Sequence, residues 1–154
     1  MPIRAARPDE AERLTELALR SKAYWGYDPA FMEACGEELT LREADVEPCR
    51  THVYERDGRL LGLVTLEGEP PEGVLGMCFV EPSAIGQGIG RRLMEHARSQ
   101  ARRLGFDRLS IDADPNALPF YLAMGAVQVG TAPSGSIPGR ELPRLSLAVA
   151  PGTG

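Results

Sequence analysis

The apolar positions of this chain fall into short segments of changing period. Ala11, Leu14, Leu17 and Ala18 share one face of a helix, which follows a short strand at Ile3–Ala5 and a turn at Pro8. Asp9 and Glu10 stand where acidic groups favour the positive end of that helix. Trp25, Tyr27 and Phe31 punctuate a loop, and a second amphipathic helix is predicted over residues 29–39. THVYER and RLLGLVTLE read as strands flanking Asp57-Gly58, a dipeptide suited to the positive backbone angles of a tight hairpin. The continuous apolar run VLGMCFV predicts a central strand covered on both faces.

From Gly88 to Gly105 the period becomes helical. Ile89, Leu93, Ala97, Ala101 and Leu104 form one stripe, with Arg91, Arg98 and Arg102 elsewhere and Gly105 as the stop. His96 lies off that stripe and reads as solvated. RLSIDA alternates as a strand, a short helix follows over residues 117–124, and strands are predicted near 126–131 and 144–149. PSGSIPGRELP between them is too rich in Pro, Gly and Ser for regular structure. The order predicts an α+β fold, a mixed and mostly antiparallel sheet with helices on both faces, formed as a single domain over residues 1–154.

Composition narrows the class. Apolar and charged fractions of 43% and 25% are close to globular averages, and no apolar run is long enough to cross a bilayer. The N-terminus lacks the pattern of a secretory signal, so a cytoplasmic protein with no membrane partner is expected. Cys35, Cys49 and Cys78 are odd in number and lack metal-ligand spacing, which argues for free thiols and no metal. A net charge of -5 disfavours nucleic-acid binding, which depends on basic groups displacing counterions.

The most informative stretch joins VLGMCFV to the long helix through EPSAIGQGIGRR. Gly86, Gly88 and Gly90 allow a tight turn and keep Cβ atoms away from the backbone N–H groups, and the helix start adds unpaired donors. A pyrophosphate suits that cradle. GQGIGR puts arginine where a dinucleotide fingerprint needs its third glycine, and no P-loop motif occurs, so neither a nicotinamide dinucleotide nor a nucleoside triphosphate is favoured.

FVEPSAIGQGIGRRLMEHA resembles the acyl-CoA-binding motif of the GNAT acetyltransferase superfamily, Arg/Gln-x-x-Gly-x-Gly/Ala, with Gly88 and Gly90 on its glycines and Ile85 in place of the usual arginine or glutamine. DPNALPFYLAMGA resembles the family segment Asn-x-x-Ala-x-x-Phe-Tyr-x-x-x-Gly-Phe. There Ala117, Phe120, Tyr121 and Gly125 match, Asp114 replaces the asparagine and Ala126 the final aromatic. Together the matches span about residues 74–129.

The resemblance implies a splayed fourth and fifth strand pair, acetyl-CoA as co-substrate, and direct attack on its thioester by a primary amine, with no covalent acyl-enzyme. It implies CoA contacts at Cys78, Phe79, Val80, Ile85, Gly86, Gln87, Gly88, Ile89, Gly90, Arg91, Asn116 and Phe120, with an N–H near Cys78 or Phe79 facing the thioester oxygen. Tyr121 corresponds to the general acid for the departing thiolate. His52, Glu55, Glu81 and Asp112 are the candidate bases, among which His52 has the most convenient intrinsic pKa. Cys78, with no basic partner fixed beside it, reads as core packing. Trp25, Tyr27 and Phe31 are expected to wall the pocket of a small-molecule amine, with Glu37 or Glu38 attracting it. Protein acetylation and a non-catalytic acyl-CoA-binding module are the alternatives, and a homodimer formed through the final strands is a further expectation.

Overall fold

A computed structural model describes residues 2–149. Its elements are β1 (Ile3–Ala5), α1 (Ala11–Ala23), α2 (Pro29–Cys35), α3 (Glu43–Val46), β2 (His52–Arg56), β3 (Arg59–Glu67), β4 (Glu72–Val80), α4 (Ile89–Leu104), β5 (Arg108–Asp112), α5 (Leu118–Ala123), β6 (Val127–Pro133) and β7 (Glu141–Ala148). The strands form one seven-stranded sheet in the order β1-β2-β3-β4-β5-β7-β6. All neighbours pair antiparallel except β4 and β5, which are parallel. The β2–β3 hairpin turns on Asp57 and Gly58, both with positive φ (53° and 77°), as the sequence predicts.

Strand alternation sends neighbouring side chains to opposite faces, and each face has its own helix. Leu63 joins Leu14, Leu17, Val46 and Val53 on the α1 side, whereas Val64 and Leu66 join Ile89, Leu93, Met94 and Ala97 on the α4 side. Each fully buried leucine contributes about 1.5–3 kcal/mol. Met94 belongs to the buried stripe and Leu104, predicted to do so, is 44% exposed at the last turn. The second helix stops at Cys35, short of residue 39, because the backbone breaks into turns from Gly36.

Two departures from expectation concern buried charge and histidine. Glu10 is 2% exposed and accepts hydrogen bonds from the Arg4 guanidinium (2.9 and 2.7 Å), the Arg7 N–H (2.9 Å) and the Arg7 guanidinium (3.2 Å). The Arg4 hydrogen bonds, acting against the cost of burial, hold its carboxyl down at about 2. His96 is not solvated: its ring lies 4.6 Å from that of His52, and its Nε2 is buried without a partner among the described residues.

The sheet divides at its centre. β4 pairs with β5 only at Glu72↔Arg108, Gly73↔Leu109 and Val74↔Ser110, after which the two strands part. On its other edge β4 carries a bulge at Gly76 and Met77 opposite Thr65, whose Oγ1 accepts the Met77 N–H at 2.8 Å. β4 is therefore not covered on both faces. Val74 is 44% exposed and Gly76 is exposed, alternating with buried Gly73 and Leu75, so this part of the strand is covered on one face only.

Candidate active site

A cleft of about 540 Å³ occupies the gap between the diverging strands. The C-terminal half of β4 forms one wall, α5 the other, and the first turn of α4 the floor. Because strand N–H and C=O groups point alternately to either side, the edge of β4 released by β5 offers a ladder with no strand to receive it. Cys78 and Val80 face the α4 core from this strand, while Phe79 packs toward α1.

At the floor, Gly86 and Gly88 hold φ of 92° and 79°, and a Cβ on either would meet nothing within 4 Å. The turn is thus a bare backbone concavity at the start of a 16-residue helix, where unpaired N–H groups and the helix dipole favour an anion. Gly90 admits the Phe120 ring, which would lie 3.3 Å from a Cβ at that position. Ile85 is 47% exposed and lines the cleft beside Arg91. Ile89 is almost wholly buried, so its side chain anchors the turn in the core while its backbone belongs to the cradle. The Gln87 side chain does not line the cleft: its Oε1 accepts a hydrogen bond from Arg56 at 2.5 Å.

Tyr121 lines the cleft from α5 with its ring buried, and Phe120 packs edge-on against it at 5.2 Å. Burial raises the Tyr121 pKa well above the usual phenol value, with the nearby Cys78 and Asp114 adding to the effect. The phenol is a proton donor over the neutral range. Burial likewise pushes the Cys78 thiol up to about 12, so it stays protonated and packs as a small apolar group.

Above the cleft, four segments meet at Asp114. Its carboxylate receives Lys22 Nζ at 2.5 Å, the Tyr27 hydroxyl at 2.8 Å and the Asn116 backbone N–H at 2.8 Å, with Arg140 at 3.7 Å. Burial opposes ionisation of Asp114, but the hydrogen bonds from Lys22, Asn116 and Tyr27 outweigh it and hold the carboxyl below its ordinary value. The Tyr27 oxygen also accepts from Asn116 Nδ2 (3.0 Å) and Arg140 (2.9 Å), and its ring stacks on Phe31 at 4.0 Å. Tyr27 and Phe31 therefore brace the α1–α2 loop against the β6–β7 loop and do not line the cleft; of the three predicted wall aromatics only Trp25 does. Lys22 and Arg140 are lining residues drawn into the same brace.

A family model described as the acetyltransferase (GNAT) family matches residues 13–126. The chain belongs to the GNAT acetyltransferase family. It is an acetyl-CoA-dependent N-acyltransferase, and its mixed sheet with a parted central pair is the GNAT fold. Peptidyl-lysine N-acetyltransferase YiaC of Escherichia coli is 31% identical over 125 residues, covering 80% of this chain and 81% of that protein. Peptidyl-lysine N-acetyltransferase YjaB of the same organism is 29% identical over 147 residues, 95% of each. The PaiA N-acetyltransferase of Thermoplasma acidophilum, solved with coenzyme A, superposes with a TM-score of 0.80 at 17% identity, covering 95% of this chain and 97% of that one.

Within this GNAT cleft the carboxylates and histidines are distributed differently from expectation. His52 faces α4 beside His96, with Nδ1 3.0 Å from the Arg50 carbonyl oxygen, because the alternation of β2 turns it away from the cleft. Glu81 leaves the end of β4 toward α1, where both its oxygens accept from Arg20 Nε (3.2 and 3.0 Å), and Glu55 is paired with Arg4. None of these three lines the acetyltransferase cleft. Asp112 does, bound to Arg144 at 2.8 and 3.1 Å. Glu38 also lines it: its carboxylate accepts the Ser136 hydroxyl at 2.7 Å and has no cationic partner among the described residues. The family segment shows Asp114 only as a replacement for asparagine, and nothing local in sequence signals that it gathers Lys22, Tyr27 and Arg140.

Proposed function

We propose that the cleft binds acetyl-CoA through Gly86, Gly88, Gly90 and the first N–H groups of α4 on its pyrophosphate, with pantetheine laid along Cys78–Val80 as a surrogate strand. The observation that carries this reading is the parting of β4 from β5 immediately beside an open glycine cradle. Ile85 and Arg91 flank the phosphates, while Asn116 and Phe120 border the opposite wall. An N–H at Cys78 or Phe79 would polarise the thioester carbonyl, and removal of such a donor typically costs about 2.7–4 kcal/mol of transition-state stabilisation. Tyr121, protonated and without a side-chain hydrogen-bond partner among the described residues, donates to the departing thiolate.

The acceptor is a primary amine on a small molecule. The brace at Asp114 closes the loops over the cleft, and a volume of about 540 Å³ shared with the acyl end of the donor leaves room for a compact acceptor. Glu38, with no cationic partner among the described residues, attracts the incoming ammonium, which gives up its proton toward solvent before attack. A second reading, acetylation of lysine side chains in proteins, is supported by the two peptidyl-lysine acetyltransferases matched over most of their lengths.

Calorimetric titration with acetyl-CoA, followed by acetyl transfer to matched panels of small amines and lysine peptides, tests both levels. No saturable binding of acetyl-CoA would overturn the donor site. A higher kcat/KM for peptides than for every small amine would overturn the acceptor assignment.

A further inference from the structure

Lys22 is the only lysine in the chain. It is also a primary amine in the lining of an acetyl-transfer cleft. Its side chain retains 13% exposure, and its Nζ sits 2.5 Å from Asp114 Oδ2, in the segment that leads into the helix carrying Tyr121. Asp114 lies close enough for its charge to act on the Tyr121 phenol, as does Cys78, beside which the thioester is placed above. The lysine, a proton-accepting carboxylate and a proton-donating phenol thus line the same cleft. From this juxtaposition we infer that Lys22 is an internal acceptor and that the protein acetylates itself there. The inference rests on acetyl-CoA occupying the cleft as proposed above.

The step balances without a further reactant. The Lys22 ammonium loses one proton through Asp114 to solvent, and its nitrogen lone pair forms the bond to the thioester carbonyl carbon. The C–S bond breaks. A second proton leaves the nitrogen and replaces the one that Tyr121 delivers to sulfur, giving Nε-acetyl-lysine, free CoA and one released proton. Asp114 is a weak base because its hydrogen bonds stabilise the carboxylate, and the ion pair must separate before attack, so the reaction is slow and occurs once per chain. Acetylation removes the cation that holds Asp114 most closely. Arg140, Tyr27 and the Asn116 amide are left as its side-chain partners, and the brace over the acceptor end loosens.

The experiment is incubation of the full chain with acetyl-CoA and no added amine, followed by intact-mass measurement and peptide mapping. The expected result is one acetyl group on Lys22, formed at a rate that saturates with acetyl-CoA and does not vary with protein concentration. It should be lost in Gly88→Trp, which obstructs the cradle, and absent from Lys22→Arg, which keeps the charge. Acetylation confined to the N-terminal amine, a rate proportional to protein concentration, or equal labelling in urea would each overturn the inference. Absence of Lys22 labelling in protein that binds acetyl-CoA by calorimetry overturns self-acetylation alone. Absence of binding overturns the donor site beneath it.

Discussion

Gly88→Ala and Gly58→Ala form a matched pair that separates the cost of a backbone angle from the cost of losing a ligand. Gly88 has φ of 79° and Gly58 of 77°, and a Cβ on either meets no atom within 4 Å. Neither substitution creates a clash, so both carry only the left-handed strain of an L-residue, about 1–2 kcal/mol. For a chain of 154 residues that strain lowers the melting temperature by about 2–8 °C in each variant. Only at Gly88 does the added methyl enter the concavity where phosphate oxygens would meet backbone N–H groups. Loss of one charge-assisted hydrogen bond there, about 1.5–3 kcal/mol, weakens acetyl-CoA binding by roughly 10- to 150-fold. Thermal melts and calorimetry on both proteins make the comparison. If Gly88→Ala binds acetyl-CoA as tightly as Gly58→Ala does, the cradle assignment is refuted, whatever the melts show.

Tyr121→Phe should lower kcat by about 100-fold with little change in KM for acetyl-CoA, and the loss should shrink for thioesters with better leaving groups; an unchanged kcat would remove the phenol from the mechanism. The Glu10 carboxyl titrates near 2 in the fold against an ordinary 4.5, so its stabilisation is complete above 4.5 and fades as pH falls toward 2. That contribution is about 3 kcal/mol, and Glu10→Gln should both lower the neutral-pH stability and flatten the acid limb of the denaturation curve. His96 shifts the other way from a stabilised cation: burial, then the neighbouring His52 and Arg103, lower its pKa below 6.5. Its penalty is absent well above 6.5 and grows as pH falls through 6.5 to the folded value, so His96→Gln should reduce the slope of stability with pH in that window.

The parts of this molecule legible in sequence are those encoded within a few neighbouring residues. Asp57-Gly58 specifies its own turn, and the glycines from 86 to 90 specify theirs, because positive φ is a local requirement. Alternation in THVYER established a strand but not which helix would cover each face, so His52 was placed in a cleft that lies two strands away. VLGMCFV misled for a related reason: its apolar run predicts burial on both faces, whereas at Val74 and Gly76 one face of the sheet is uncovered. The Asp114 brace draws on residues as far apart as Lys22 and Arg140, and such a meeting has no signature along the chain.

The three rungs between β4 and β5 have a mechanical consequence. They are the strand pairing that joins a four-stranded half of the sheet to a three-stranded half, so few rungs hold the two halves together at this seam. A donor lying along β4 would act as a splint across that seam. Amide exchange along residues 75–80 should then slow far more on acetyl-CoA binding than exchange in the β2–β3 hairpin. With the donor so placed, the molecule that supplies the acetyl group would also complete the sheet, and each turnover would end with the loss of that splint.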